Sequence, residues 1–495
     1  MKMTEVLESE IFKKCRGINE LLNQNQEEKA RDEVIKLLDF HEKNNIESYS
    51  ELVNHLIRQV GLFPYMKEAT ASFEDSLVYD LFRTDVGKAE PCVLHRAQSK
   101  LLKKLLSGED VAVSAPTSFG KSFVIDAFIA LKKPQNVVII VPTIALMDET
   151  RRRLYQKFSN EYEVITTVNA SLGEKNILVF PQERAYAFRD LLKEIDILIV
   201  DEFYKVSPVF DENRSSTLIK CLLDFMPKAK QRYFLAPNIS SLKENPLTKN
   251  IPLIPIDFKT VFLNIENKYP LVSADVNAKE KVLNEILNEN LGKTLIYAGT
   301  YTEIKKLTTI FLEQPVEHAA SGVLETFSSW LQKNYDANWA LSRLVRKGIG
   351  IHNGKLHRSL AQIQVRLFDQ KDGINRLIST SSIIEGVNTA AENVILWSNK
   401  SGKGKSAINF FTYKNIIGRG GRMFRHFVGN VFLLDKIPSE EDTQLTIDFP
   451  QDVIFDKASL ENIDITEEDK NQLLTNNDDI ENELDRKSTR LNSSH

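Results

Sequence analysis

Val111-Ala-Val-Ser-Ala-Pro-Thr-Ser-Phe-Gly-Lys-Ser122 is the stretch that decides the fold. It begins as a short β-branched run, passes through a turn with glycine before lysine, and leads into the apolar stretch Phe123–Leu131. A strand, a turn and a helix in this order predict a P-loop, whose backbone amides and positive helix end hold phosphate oxygens. The predicted nucleotide contacts are Ala115, Pro116, Thr117, Ser118, Phe119, Gly120, Lys121 and Ser122.

Lys121 and Ser122 have separate expected roles in this loop. The lysine is expected to reach the β and γ phosphates, and the serine hydroxyl is expected to ligate Mg²⁺. Ala115 stands where the usual pattern has its first glycine. A Gly-Lys-Ser triplet also occurs by chance in surface turns, so the flanking strand and helix carry the prediction.

Two acidic residues follow a second buried strand. The run Ile195–Val200 leads directly into Asp201 and Glu202. A parallel strand ending there would deliver both carboxylates to the same nucleotide. Asp201 is predicted to hold Mg²⁺ through its water shell, and Glu202 to orient and deprotonate the attacking water. The alternative is that the pair only caps the next helix, since acidic residues favour helix starts.

Gly418-Arg-Gly-Gly-Arg422 places two guanidinium groups near a glycine-rich turn. Both could point at one anion, and a phosphoryl-transfer transition state needs such a cation. Arg419 and Arg422 are therefore candidate arginine fingers. A basic nucleic-acid patch without a catalytic part is the alternative.

Short β-branched runs alternate with helical stretches after Pro91, which predicts an α/β fold with parallel sheets and crossover helices. Two lobes are expected, at residues 86–255 and 276–436, joined by a linker at 256–275. The candidate strands of the first lobe are Val111–Ser114, Val137–Val141, Ile177–Phe180, Ile195–Val200 and Tyr233–Leu235. Those of the second lobe are Thr294–Tyr297, Gly348–Ile351, Arg376–Ile378, Val394–Leu396 and Asn430–Leu434.

Residues 1–85 have apolar positions at helical spacing, among them Val34, Leu37 and Leu38. Polar stretches interrupt the pattern, so we expect a small all-helical domain before the two lobes. The sequence leaves two roles open for this domain, a packing extension or a docking site for a protein partner.

The composition indicates a globular protein and argues against a membrane or disulfide-rich one. A chain of 495 residues with 42% hydrophobic and 27% charged residues indicates several globular units. No apolar run approaches the roughly 18 residues that a membrane span needs, and the charged start has no signal core, so a cytoplasmic location without membrane contact is predicted. Cys15, Cys92 and Cys221 lie far apart, which argues against a disulfide framework or a zinc site.

The net charge of −4 conceals an asymmetry along the chain. Residues 437–484 carry fifteen Asp and Glu against two Lys, and the last eleven residues carry +2, which leaves +7 on residues 1–436. A basic body suits a channel for a nucleic-acid backbone. An acidic solvated tail beside an ordinary body explains the same numbers.

The final segment needs separate treatment. Asp485-Arg-Lys-Ser-Thr-Arg-Leu-Asn-Ser-Ser-His495 resembles the in-frame translation of a sequencing adapter, so we exclude it from fold reasoning. Residues 437–484 are then the acidic start of a C-terminal region that is expected to be truncated near Leu484.

The order of these elements resembles the superfamily-two DExH/DEAD-box helicases, nearest the Ski-type group. The resemblance spans about Leu94–Leu434 and rests on at least six motifs in the family's order. Arg96 and Gln98 stand where the family's glutamine reads adenine. Val141-Pro-Thr-Ile-Ala-Leu-Met-Asp-Glu149 resembles the first nucleic-acid motif, and Pro181-Gln-Glu-Arg184 the next backbone motif.

Four further motifs lie in the second lobe: Leu295–Thr300, Ile351–Leu356, Ile378–Asn388 and Asn415–Arg422. The resemblance assigns two sets of contacts. Those to a nucleic-acid strand are Pro142, Thr143, Arg184, Thr300, Thr380 and Ser381. Those near the nucleotide are Gly386 and Asn388, in addition to Arg96, Gln98 and the P-loop.

The sequence departs from the family's pattern at three positions. Tyr204 stands in place of the DExH histidine, motif three reads Ala236-Pro-Asn238, and Asn415 replaces the usual glutamine. The family uses these positions to couple hydrolysis to strand movement. Ser398–Ser406, with three lysines, stands where Ski-type enzymes carry a strand-separating hairpin, and a solvated loop is the alternative.

The resemblance implies two RecA-like lobes that bind ATP and Mg²⁺ between them. It implies an ATPase that moves along single-stranded DNA or RNA as a helicase or translocase. An ATP-switched clamp or remodelling subunit without processive unwinding is the first alternative. A scaffold in which ATP only fixes the shape, and the helical domain docks a partner, is the second.

Overall fold

The computed structural model describes residues 2–243, 248–273, 276–315, 321–383, 391–402 and 406–446. The chain begins with four helices, as the apolar spacing predicts. They are α1 Lys2–Asn23, α2 Glu27–Lys43, α3 Glu51–Gln59 and α4 Phe73–Leu81. Ser50 and Ser72 cap α3 and α4 by accepting hydrogen bonds from backbone amides of the first turn. A short antiparallel pair, β1 Arg83–Thr84 and β2 Cys92–Val93, leads into the first lobe.

The helical domain shares its core with the first lobe. Val34 and Leu38 of α2 belong to the same buried cluster as Val113 and Val137 from the lobe's strands. Burying apolar surface is the dominant favourable contribution to packing, so this domain is fixed to the lobe and is not a tethered appendage.

The first lobe alternates strands and helices. Its elements are α5 Arg96–Leu106, β3 Val111–Ser114, α6 Lys121–Lys132, β4 Asn136–Val141, α7 Ile144–Phe158, β5 Glu163–Ile165, β6 Asn176–Pro181, α8 Ala185–Phe188, β7 Ile195–Val200, α9 Ser215–Phe225, β8 Ala229–Ala236, β9 Ser241–Leu242 and β10 Leu253–Pro255. Seven strands form one parallel sheet in the order β10-β3-β8-β7-β4-β6-β5. All five strands predicted for this lobe are present.

The second lobe repeats this architecture. Its elements are β11 Phe262–Asn267, α10 Tyr269–Val272, α11 Val276–Glu289, β12 Thr294–Tyr297, α12 Tyr301–Glu313, α13 Gly322–Asn334, α14 Ala340–Arg346, β13 Ile349–His352, α15 Arg358–Asp369, β14 Arg376–Ser379, β15 Asn393–Leu396, β16 Lys400–Ser401, β17 Ser406–Ala407, α16 Phe410–Ile417 and β18 Val428–Leu433. Six strands form a parallel sheet in the order β11-β18-β15-β12-β14-β13. The predicted class, two α/β lobes after a helical domain, is confirmed.

The interval expected to be a linker, residues 256–275, is largely structured. It contains β11, which pairs in parallel with β18 from Phe262↔Val428 to Asn267↔Leu433, and also α10. The second lobe therefore begins before the expected boundary. β11 is an edge strand with one neighbour, and its mixture of polar and apolar residues hides it in the sequence. Residues 256–261, which we call the strap, lead from β10 of the first sheet to β11 of the second.

The chain returns to the first lobe after β18. A two-residue strand, β19 Gln444–Leu445, pairs with β9, and Leu445 is buried in the first lobe's core. The residues that follow the second lobe are thus held against the first. Within the part of the chain that is described, no helix has the length and apolarity to cross a membrane.

Candidate nucleotide and nucleic-acid site

The P-loop lies at the carboxyl edge of the first sheet. β3 ends at Ser114, a short turn covers Thr117–Phe119, and α6 begins at Lys121. Gly120 has φ of 76°, in the left-handed region that glycine adopts without strain. The Lys121 ammonium donates a 2.9 Å hydrogen bond to the Ala115 carbonyl, which holds the side chain over the loop.

The two carboxylates follow β7, two strands away from β3. Glu202 has φ of 54°, an uncommon backbone conformation for a residue with a side chain, and its amide donates to Asp201 Oδ1 at 2.9 Å. Burial raises the pKa of both carboxyls, and the charge of Lys121 opposes this rise. Burial lowers the pKa of Lys121, which Glu202 and Asp201 oppose. Because each charge acts on the others, Lys121, Asp201 and Glu202 form one cluster that is largely removed from water.

Arg419 faces this cluster from the second lobe. Burial lowers its pKa, and the charge of Glu202 is the largest opposing influence. Arg422 has different neighbours: its pKa is lowered by burial and by Arg425, and raised by Asp369 and Glu149. Of the two predicted fingers, Arg419 is the one whose charge acts on Glu202.

The lobes touch beside the P-loop. Thr117 donates a 2.7 Å hydrogen bond to the Gly418 carbonyl, although 301 residues separate them. A Cβ at Gly418 would lie 3.1 Å from this hydroxyl, so a larger residue there would push the two groups apart by a few tenths of an ångström. A cavity of ≈ 750 Å³ opens between the lobes. It is lined on one side by Ser114–Ser118 and on the other by Lys414, Ile417, Gly418 and Gly420.

The donor set fits a magnesium nucleotide. Lys121, Arg419 and the loop amides are the cations and dipoles that phosphate oxygens need. The Ser122 hydroxyl and the Asp201 carboxylate are hard oxygen ligands of the kind Mg²⁺ prefers, and Mg²⁺ keeps several waters in such sites.

The three departures from the family's pattern lie along one seam between the lobes. Asn238, at φ 49°, donates a 2.9 Å hydrogen bond to Asn415 Oδ1. The ring of Tyr204 lies 4.7 Å from that of Phe411, and Phe411 lies 4.7 Å from Phe210. Phe411 and Asn415 are one turn apart on α16, so a single helix face makes both contacts.

Arg96 and Gln98, the residues predicted to read adenine, do not line the cavity. Gln98 is 1% exposed and all its polar atoms are engaged: Oε1 accepts from the His95 amide, and Nε2 donates to the Phe119 and Gly120 carbonyls. Arg96 turns to the helical domain, pairing with Glu27 at 2.8 Å. Gln98 supports the P-loop from behind, and Arg96 anchors the neighbouring domain.

Comparison with known families agrees with this geometry. Residues 95–236 match the DEAD/DEAH box helicase family, and residues 1–76 match the family described as Anti-bacteriophage protein B N-terminal domain. The chain contains a superfamily-two helicase core. The match covers the P-loop and both carboxylates, and it ends at Ala236, the first residue of motif three.

Individual relatives extend the likeness into the second lobe. The chain is 33% identical to Anti-bacteriophage protein B of Escherichia coli K12 over 451 residues, which is 88% of this chain and 60% of that protein. It is 21% identical to the ATP-dependent DNA helicase Hel308 of Thermoplasma volcanium, over 70% of this chain and 53% of that one. It is 22% identical to the human exosome RNA helicase MTR4, over 70% and 39%. The chain thus spans less than two thirds of the length of each of these relatives.

In the helicase core, the first-lobe residues that are predicted to contact a nucleic-acid strand lie just after β4 and β6. Thr143 caps α7 by accepting from the Leu146 amide at 3.2 Å. Arg184 is exposed after β6. Arg214 hydrogen-bonds the Pro142 carbonyl and pairs with Glu183 at 2.5 Å, so one guanidinium fixes both predicted motifs relative to each other.

The second-lobe contacts lie at the carboxyl edge of the second sheet. Thr300 caps α12 through the Glu303 amide at 3.2 Å and is buried. Thr380 follows β14, and its hydroxyl lies 3.2 Å from that of Ser382. Ser381 begins the short turn after Thr380. Gly386 and Asn388, assigned to the nucleotide, lie outside the described residues.

Two further features of the core are absent from the sequence prediction. Arg358, the first residue of α15, forms a 2.5 Å ion pair with Asp148 of α7, across the two lobes. The charge of Arg153 lowers the pKa of Asp201 against the dominant effect of burial. Both arginines look like ordinary helix-surface residues in sequence, and only the tertiary fold gives them these partners.

The Ser398–Ser406 segment begins and ends as a hairpin. β16 and β17 pair antiparallel through Lys400↔Ala407 and Ser401↔Ser406. Residues 403–405, which include two of the three lysines, lie outside the described residues.

Proposed function

We propose that this chain is an ATP-driven nucleic-acid motor of the Ski-type DExH group, which couples hydrolysis in the interlobe cleft to movement on a single strand. The observation that carries the proposal is the charge cluster at the cleft. Lys121 and Glu202 from one lobe interact electrostatically with Arg419 from the other. A site divided in this way makes nucleotide occupancy depend on the distance between the lobes.

The chemistry assigned to the chain's own groups is phosphoryl transfer to water. Glu202 orients the water and accepts its proton, and its raised pKa makes it a stronger base than an exposed glutamate. Lys121 and Arg419 stabilise the negative charge of the transferring phosphoryl group. Mg²⁺, when held by Ser122 and Asp201, would supply further charge neutralisation.

Movement follows from a two-state cleft. Each lobe carries its own predicted contacts to a strand backbone, so closing and opening would change the spacing of the two grips. Mostly backbone contacts make binding tolerant of sequence and sensitive to salt.

Steady-state ATPase rates with single-stranded DNA, with single-stranded RNA and with neither test the proposal. We expect stimulation by one of the two nucleic acids. Lys121→Ala should abolish nucleotide binding or turnover, because the loop loses its phosphate cation. Glu202→Gln should retain nucleotide binding and lose at least about a hundredfold in kcat, the lower end for a general base. Turnover at the wild-type rate in Lys121→Ala would contradict the site.

The Asn238–Asn415 and Tyr204–Phe411 contacts favour a second candidate, an ATP-switched clamp that does not unwind processively. They replace the residues that couple hydrolysis to strand movement in the family. A strand-displacement assay on duplexes with single-stranded tails separates the two, since a clamp would hydrolyse ATP without displacing the strand. ATPase activity independent of nucleic acid would instead support a scaffold role.

For the biological setting we propose defence against bacteriophage. The support is the match of residues 1–76 to the anti-bacteriophage domain and the 33% identity to the E. coli protein. Plaque counts on cells carrying the wild-type gene or the Lys121→Ala variant test it. Protection by the wild type alone supports it, and no difference in plaque counts from cells without the gene contradicts it.

A further inference from the structure

We propose that the helical domain acts on the nucleotide site through Tyr65, a positioning residue that holds both the P-loop and the arginine-bearing turn. The inference rests on the proposed ATPase function and gives the helical domain a role in it. Tyr65 lies after α3, in a short turn at Phe63–Tyr65, and is 5% exposed. Neither its position nor its surroundings match a predicted motif.

The first link runs from Tyr65 to the P-loop through the strap. The Tyr65 hydroxyl donates a 2.7 Å hydrogen bond to the carbonyl of Thr260, which is fully buried. The Thr260 hydroxyl in turn donates a 2.9 Å hydrogen bond to the carbonyl of Ser118, inside the P-loop. One residue of the strap therefore joins the helical domain to the phosphate-binding turn.

The second link runs from the Tyr65 ring to the turn that follows Arg422. The ring packs edge-on against Phe427 at 5.0 Å and against Phe424 at 5.7 Å. The turn closes by hydrogen bonds from the Arg425 and His426 amides to the Arg422 carbonyl. Phe424 has φ of 66°, so packing must hold this turn in an unfavourable backbone conformation.

The same strap touches the turn on its other side. Gly421, between the two candidate fingers, has φ of 72°, and a Cβ there would lie 2.2 Å from Cγ1 of Val261. Val261 is the next residue after Thr260. The strap is thus packed between the helical domain, the P-loop and the arginine turn, and a displacement of Tyr65 would be passed to both walls of the cleft.

A parallel set of contacts shows that the coupling is not confined to one side chain. Arg31 of α2 lies 4.1 Å above the ring of Phe258 in the strap. Phe258 stacks on His95 at 4.5 Å, and His95 Nε2 lies 3.1 Å from the Phe119 carbonyl of the P-loop. Asp32, also on α2, lines the interlobe cavity itself. The helical domain therefore contributes to the wall of this cavity, which the P-loop residues Ser114–Ser118 also line.

The two links predict separable kinetic effects. Tyr65→Phe removes the hydroxyl and leaves the ring contacts. The larger loss is the donor to the Thr260 carbonyl, which loosens the P-loop, and the smaller loss is the interaction of the hydroxyl with the Phe424 backbone. We expect the KM for ATP to rise about threefold to tenfold with kcat within about twofold of wild type. Tyr65→Leu also removes the ring contacts to the Arg422 turn. We expect kcat to fall at least about tenfold, because small misplacements of catalytic groups are costly.

Tyr162 supplies a matched control. It is buried, its hydroxyl donates to the Pro134 carbonyl at 2.9 Å, and its ring packs edge-on against Phe158 at 6.1 Å. It lies at the amino edge of the first sheet, beside the start of β5 and opposite the P-loop. Tyr162→Phe and Tyr162→Leu should lower the melting temperature comparably and leave KM and kcat unchanged below it.

The experiment measures KM and kcat for ATP in the full chain, with melting temperatures for all four variants. A raised KM with nearly unchanged kcat in Tyr65→Phe, together with a lowered kcat in Tyr65→Leu, supports the inference. Tyr65 variants that change kinetics no more than their Tyr162 counterparts, in a wild type that hydrolyses ATP, would overturn it and leave the proposed function intact. A wild type without ATPase activity would overturn both. If Tyr65→Leu does not fold, Phe427→Leu perturbs the same ring contact and must lower kcat in its place.

Discussion

Truncating Phe411 tests whether the ring contacts of Phe411 with Tyr204 and Phe210 set the balance between closed and open lobes. Phe411 belongs to the second lobe by sequence, yet it is 6% exposed and buried within the first lobe's core cluster. Its ring lies 4.7 Å from those of Tyr204 and Phe210. If the lobes separate to exchange nucleotide, this side chain passes from a buried to an exposed environment.

The magnitude follows from the burial. Keeping a phenylalanine side chain out of water is worth about 1.5–3 kcal/mol, so Phe411→Ala removes about that much from the closed state relative to the open one. At about 1.4 kcal/mol per tenfold change, the closed population falls by about 10- to 150-fold relative to the open one. Because Arg419 acts on Glu202 only across a closed cleft, kcat/KM for ATP should fall by at least about tenfold.

The assay is steady-state ATPase activity with saturating nucleic acid. Phe311→Ala is the control, since Phe311 is fully buried in the core of the second lobe with α11 and α14 as neighbours and is not part of the seam. It should lower the melting temperature and leave kcat/KM near wild type below that temperature. Phe411→Leu should recover most of the activity. Equal kcat/KM values in Phe411→Ala and wild type would refute the reasoning.

Two further predictions concern charge. The Arg358–Asp148 ion pair is about two-fifths exposed and therefore worth at most about 1 kcal/mol, so strand phosphates should displace Asp148. Arg358→Ala should weaken single-strand binding about fivefold and Asp148→Asn should tighten it, as measured by fluorescence anisotropy; shifts in the same direction would contradict the exchange. Burial lowers the pKa of His95 from 6.5 to about 3, so the unfolded state binds more protons below pH 6.5. As the pH is lowered from 6.5 towards 3, the free energy of unfolding should fall by up to about 1.4 kcal/mol per pH unit. His95→Gln should reduce that slope, as measured by urea titrations at several pH values.

Much of the fold is predictable because its signals are local. Most of the ten predicted strands are short apolar runs, many of them rich in β-branched residues, that lie buried in a parallel sheet, and such runs are visible without any knowledge of their partners. β11 was missed because Phe262-Leu-Asn-Ile-Glu-Asn267 is an edge strand with exposed polar positions between its apolar ones. The strap and β11 were therefore predicted together as linker.

The candidate site also has parts that the sequence predicts and parts that it does not. Asp201 and Glu202 follow β7 directly, and Lys121 follows β3 after one turn, so their meeting at one sheet edge could be deduced from order alone. The orientation of Gln98 could not, because Oε1 accepts from the His95 amide in a capping box and Nε2 donates to the Phe119 and Gly120 carbonyls. The contacts of Tyr65 and Arg358 join residues about 200 positions apart, and the sequence carries no local mark of either.

A structure with Mg²⁺ and a non-hydrolysable ATP analogue tests the central claim most directly. That claim is that the P-loop lysine and the arginine turn serve one triphosphate between the lobes. We predict that the γ phosphate lies within hydrogen-bond distance, about 3 Å, of both Lys121 Nζ and the Arg419 guanidinium. An analogue bound away from the P-loop, or bound there with Arg419 and Arg422 both directed out of a closed cleft, would contradict the account.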